Sequence, residues 1–212
     1  MSEVIAGLEI PETAAVAEAT RLVRETTSPL IYHHSRRVFL FGLLHARMVG
    51  VRPDPELLYL AAVFHDTGLS MPFSDVVQRF EVDGADHARA FLLERGFPAA
   101  AAETVWSAIA LHTTPGIPER MGPEIASTRL GVLTDTIGLG LADMETDQLA
   151  EILAAHPRGD FKHEFLQAFV DGLKDRPQTT YGTVNADVLA HFVPGFQRTT
   201  MVDRVVGSPW PS

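Results

Sequence analysis

Two stretches of this chain are too apolar to lie on a surface, yet an acid is embedded in or abuts each one. Leu57 to Phe64 (LLYLAAVF) carries no charge and runs straight into His65 and Asp66, and Leu130 to Ala142 (LGVLTDTIGLGLA) carries a single charged residue, Asp135. A helix that is apolar on nearly every side is enclosed by other elements rather than facing water. Burying an unpaired carboxylate costs several kcal/mol, so each acid must be neutralised by a proton, an arginine or a metal ion. Neither stretch supplies a basic partner of its own.

The rest of the chain is read as helical throughout, giving an all-α fold. Apolar residues recur with helical periodicity, and Gly and Pro cut the pattern into helices near 12–27, 35–50, 55–67, 84–95, 98–112, 123–142, 146–155, 161–174 and 184–192. Gly68 is placed to end the third of these in a left-handed conformation. No alternating run bounded by turn residues reads as a strand of any length. With 212 residues and 46% hydrophobic content the chain fits one domain, taken as 1–198, followed by a tail, 199–212, in which Trp210 hints at a homodimer surface.

Composition narrows the chemistry. There is no cysteine, so a metal would have to be held by imidazole and carboxylate, a set that suits zinc, iron or manganese. A net charge of −10 with scattered Lys and Arg disfavours nucleic acid and favours a neutral small-molecule substrate. Neither a membrane span nor a signal peptide is recognisable, which points to a cytoplasmic protein with no membrane partner.

The metal option draws on several elements. His65 and Asp66 lie at the C-terminal end of their helix, where the dipole favours a cation, and diverge by about 100° around the axis, so one ion could sit between them only beyond the helix end. His34 opens the helix expected from Ser35, and His112 closes another helix on its apolar side, near Val105 and Ile109. Gly131, Gly138 and Ala142 share a strip with Asp135 that would let a second helix, or an ion with its ligands, come close. Helix ends that offer such groups to a common interior are how a helical bundle builds a metal site. Asp135 could instead pair with Arg36 or Arg37, and His112 could be a hydrogen-bonded core residue.

The order His34, His65 with Asp66, then Asp135 resembles the H…HD…D pattern of the HD-domain superfamily. HSRRV, AAVFHDTG and IALHT resemble the family's helix opening, its apolar-HD-x-G segment and its later histidine segment, and the likeness spans about residues 32–140. It implies a helical bundle holding one divalent ion, with His34, His65, Asp66 and Asp135 as ligands. Within the superfamily, RVFLFG, HDTGLS, RFEVDGADHARAFL, AIALHTTPG, LGVLTDTIGLG and YGTVNADVLAHF resemble the cyanamide hydratase-like branch, which implies a zinc-type ion and water addition to a small nitrile-like carbon. Where many relatives place another metal-binding histidine this chain has Phe80 and Glu81, and its nearest histidine, His87, lies at the edge of a buried stripe. One ion is therefore expected, with a second through His87 and His112 left open.

The mechanism implied is attack of an activated water on an electrophilic carbon or phosphorus. His112 and Glu81 are candidates for proton transfer or substrate positioning, and Thr67 for orienting Asp66, with a helix-end hydrogen bond as its competing role. Three other readings remain: a phosphohydrolase that would need Arg36, Arg37 or Arg79 on phosphate, a di-iron oxygenase that would need His87, and a non-catalytic module with a structural metal.

Overall fold

A computed structural model describes residues 3–210. A two-stranded antiparallel hairpin, β1 (Val4–Ile5) and β2 (Leu8–Glu9), precedes a run of helices: α1 (Ala14–Thr26), α2 (Pro29–Met48), α3 (Pro55–Phe64), α4 (Phe80–Glu94), α5 (Ala99–Leu111), α6 (Pro123–Ile137), α7 (Thr146–Ala155), α8 (Phe161–Leu173), α9 (Asn185–Phe192) and α10 (Met201–Val206). The expected all-α bundle is what the chain adopts. Helix α3 is its axis: every residue from Leu58 to Phe64 is fully buried, and α1, α2, α4, α5 and α6 all pack against it. Its lack of charge is the direct consequence of having no wet face. Among the described residues, no helix is long and apolar enough to cross a membrane.

Several boundaries differ from expectation for identifiable reasons. Helix α2 begins at Pro29, six residues before the expected start, because the Ser28 hydroxyl accepts the Ile31 N–H and Pro29 needs no N–H partner at the first helical position. His33 and His34 therefore lie inside a helix. Helix α4 begins at Phe80 rather than 84, which places Glu81 in its first turn. Helix α6 stops at Ile137 because Gly138, with φ 77°, caps it in the left-handed conformation, so Ala142 shares no strip with Asp135. The expected tail forms the short helix α10, capped by Thr200 and Asp203, and presents Met201, Val202, Val205, Val206 and Trp210 to the surface.

Two glycines set the close approaches that carry the site. A Cβ on Gly131 of α6 would lie 2.1 Å from the carbonyl oxygen of Val38 on α2, so these helices touch backbone to backbone there. A Cβ on Gly68 would lie 2.0 Å from the carbonyl oxygen of Phe80. Gly68 is thus required by the start of α4 pressing on the turn after Asp66, and it does not adopt the left-handed conformation expected of it. Arg176, buried behind this turn, donates to the Gly68 carbonyl at 2.5 Å and to the Asp83 carboxylate, tying α8's end to the same corner.

A second, smaller apolar cluster lies on the other side of that corner. Leu69, Phe80, Phe169, Leu173 and Leu189 form it, with Phe165 and Val188 packed alongside. The space between this cluster and the main core is where the polar residues of interest meet.

Candidate metal centre

His34 projects from the second turn of α2, His65 and Asp66 from the end of α3, and His112 from the end of α5. All four are at most 1% exposed. The Nε2 atoms of His34 and His65 stand 3.1 Å apart, and they lie 3.5 Å and 3.2 Å from Asp66 Oδ2. His112 Nε2 lies 3.5 Å from the other oxygen, Asp66 Oδ1.

What the imidazoles do with their other nitrogens decides the chemistry. His65 Nδ1–H donates to the Ala62 carbonyl at 2.7 Å, and His112 Nδ1–H donates to the Ile109 carbonyl at 2.6 Å. Each is the residue just past a helix end, turned back on the last turn. His34 Nδ1–H donates to Asp135 Oδ2 at 2.6 Å. With a proton required on Nδ1 of each ring, the neutral rings of His34 and His65 present Nε2 lone pairs toward Asp66 Oδ2, and that of His112 faces Asp66 Oδ1. Neither oxygen of Asp66 receives a hydrogen bond from the described residues. Three lone pairs and a buried carboxylate without donors repel one another, and only a shared cation or trapped protons can hold them together.

Without an ion, protons on the imidazoles take over the role of the positive charge. Burial would raise the Asp66 pKa, but the His65, His112 and His34 imidazoles outweigh it and hold the carboxylate well below its ordinary range. Burial opposes protonation of His65, yet the Asp66 carboxylate and the Ala62 carbonyl raise its pKa on balance. Burial lowers that of His34 in spite of Asp135. The set is neutral imidazole, anionic oxygen and one position that attracts positive charge. Spacings near 3 Å are also those of donors about 2 Å from one ion, and His34, His65 and Asp66 form a group able to hold a metal. The residues fit a divalent ion.

Three expectations are corrected by this geometry, and His87, left open above, falls outside the group. Asp135 stands one step behind the cluster, since both its oxygens are already engaged: Arg37 grips them with Nε at 2.7 Å and Nη2 at 2.9 Å, Arg158 reaches Oδ1 at 2.5 Å, and His34 takes Oδ2. Burial raises the Asp135 pKa, but His34 and Arg37 drive it far down, so it is a fixed anion that orients His34. Thr67 donates its hydroxyl proton to the Phe64 carbonyl at 2.8 Å, the helix-end bond, and does not touch Asp66. Glu81 lies behind the cavity wall: Oε1 accepts Thr113 Oγ1 at 2.5 Å, Arg79 Nη2 at 2.9 Å and Asn185 Nδ2 at 3.0 Å. Burial is overcome by Arg79, His112 and Thr113, which keep it ionised, so it positions other groups rather than exchanging protons. His87 packs its ring on Phe73 at 3.9 Å between centroids and takes no part in the cluster.

His112, expected as a proton-transfer group, places its Nε2 3.5 Å from Asp66 Oδ1, beside the His34, His65 and Asp66 group rather than within it. Asn185 was not singled out from sequence at all. Its link to Glu81 spans 104 residues, a pairing no local pattern carries.

The cluster faces a cavity of about 290 Å³. Its far wall is apolar, formed by Phe165, Leu166 and Phe169 of α8 with Val184 and Val188 at α9, and by Val132, Leu133 and Ile137 of α6. Among the described residues Arg129 is the one Lys or Arg lining it, and its guanidinium is bound to the His112 carbonyl at 2.6 Å and to Glu119 at 3.3 Å. Arg36 is held by Tyr59 and Glu3, Arg37 by Asp135, and Arg79 by Glu81.

The HD-domain family model matches residues 31–181, which takes in every element that contributes a donor and extends through α7 and α8. The chain belongs to the HD-domain family, whose members are typically metal-dependent hydrolases. No curated protein matches it.

Proposed function

We propose that the protein is a metal-dependent hydrolase or hydratase that adds water to a small, neutral molecule, with a nitrile-like compound such as cyanamide as the leading substrate class. The observation that carries this reading is the pairing of a buried donor set with an apolar cavity that offers no free cation. His34, His65 and Asp66, with His112 completing the set, would hold one divalent ion, zinc being the first choice and iron or manganese compatible with the same ligands. Bound there, such an ion supplies an activated water at neutral pH and a positive charge for the developing anion.

The chain's own residues do the rest. Asp135 and the Ala62 and Ile109 carbonyls fix the tautomers of His34, His65 and His112, so all three Nε2 atoms stay available. The α8 and α9 wall excludes bulk water and selects size and polarity. A nucleotide phosphohydrolase would need arginines aimed at phosphate, and Arg36, Arg37 and Arg79 are all spent on internal partners. A di-iron oxygenase would need His87, which is turned into aromatic packing.

The test is a screen of cyanamide, small nitriles, small amides and nucleotide monophosphates with zinc-, iron- and manganese-loaded protein, before and after chelation. Turnover of a neutral compound that chelation removes supports the reading. Turnover confined to nucleotides overturns it.

A further inference from the structure

Asn185, the first residue of α9, is 2% exposed, lines the cavity and has a side-chain oxygen that no donor among the described residues reaches. A buried acceptor left without a donor is costly, and turning the amide over is the usual way to relieve it. It cannot turn over here. Asn185 Nδ2 donates at 3.0 Å to Glu81 Oε1, and the reversed amide would set its oxygen against that carboxylate. Glu81 is in turn held by Thr113 and Arg79, and Thr183 Oγ1 accepts the Asn185 backbone N–H at 3.2 Å. The orientation is imposed by three elements, leaving Oδ1 as the buried, unpartnered end of the amide in a residue that lines the cavity.

We infer that Asn185 is the specificity-determining acceptor of the pocket, and that the molecule bound there presents an N–H donor to its Oδ1 while its apolar part lies on Phe165, Phe169 and Val188. The inference rests on the reading above only for the location of the substrate. It adds a requirement that neither the metal donors nor the apolar wall impose: a ligand with the same shape but no donor leaves the Asn185 oxygen unsatisfied and binds less well. A neutral primary amide or an amino-substituted nitrile meets the requirement, whereas a ketone, an ester or a simple alkyl nitrile does not.

The test compares isobutyramide with 3-methyl-2-butanone, in which a methyl group replaces the NH2, by calorimetric titration of the full-length, metal-containing protein. The amide is expected to bind at least about tenfold more tightly to the wild type. In Asn185→Leu, which keeps the bulk and removes the acceptor, that preference should vanish. Equal affinity of the two probes for the wild type overturns the inference, as does an amide preference that survives in the folded Asn185→Leu protein, because the preference would then come from carbonyl coordination. If Asn185→Leu does not fold, the same amide and ketone are compared in Asn185→Ser, whose short hydroxyl cannot reach as far into the cavity, and an undiminished preference there is again fatal. Since binding is read without turnover, an inactive protein that still prefers the amide sinks the proposed reaction and leaves the acceptor role standing.

Discussion

On the wall of the cavity formed by α2, α3 and α5, each imidazole that faces the interior is held by an acceptor behind it, whereas the wall formed by α8 and α9 meets the same space with Phe165, Leu166, Phe169, Val184 and Val188. The first wall is built on backbone contacts as close as Gly131 against Val38, and on a helix, α3, with no exposed residue from Leu58 onward. The second is a smaller cluster joined to the core through the corner at Gly68, Phe80 and Arg176. The contrast separates two tasks. Donor positions are set by closely packed helices and tolerate little change, while the apolar wall can vary in size without disturbing them.

The sharpest way to break that contrast is at Asp66. Asp66→Asn removes the anion on which three imidazoles converge, and should reduce both bound metal and activity to background, measured by elemental analysis and turnover together. Next in size is Asp135→Asn. It loosens His34, for which loss of such a supporting carboxylate costs about 10- to 100-fold in metal affinity. It also strands the buried Arg37 guanidinium, at about 3–5 kcal/mol in chemical denaturation. A ligand-wall change should behave differently: Val188→Phe narrows the cavity and is expected to raise KM about tenfold while metal content is unchanged. His87→Ala, away from both walls, should leave one metal equivalent per chain, and a halving of metal content there would revive a dinuclear site.

Proton competition sharpens the same comparison. The His65 pKa is raised in the metal-free fold, by the Asp66 carboxylate and the Ala62 carbonyl against the opposing effect of burial, so below that pKa an ion must displace a proton. Metal affinity should therefore fall with falling pH by up to about tenfold per unit, and level off above the raised pKa. Affinity for an apolar probe on the α8 and α9 wall should show no such slope. Titrations at a series of pH values distinguish the two.

How much of this was written in the sequence differs between the walls. The uncharged run of α3 announced a central helix, and its terminal His65 and Asp66 announced a cation, because burial leaves an acid few alternatives. Asp135 announced itself as anomalous in the same way, but whether it would meet the ion or Arg37 depends on which helix lies closer. His34 and Arg37 sit three residues apart on one face of α2, so a single carboxylate on α6 can bridge both, and that spacing was the available signal. The start of α2 was missed by six residues although Ser28 and Pro29, a cap and a first-turn proline, carry its signal. Asn185, Glu81 and Thr113 were not legible as a unit, since each looks ordinary locally and their meeting depends on how α9 closes over α4 and the end of α5.

The most direct measurement is the metal content of the wild-type chain, purified without chelators and without added metal, together with calorimetric titration of zinc, iron and manganese into the stripped protein. The account predicts one divalent ion per chain, displaced in the Asp66→Asn variant. A wild-type protein that retains none and takes up none of the three would mean that His34, His65 and Asp66 are held together by protons, and would contradict it.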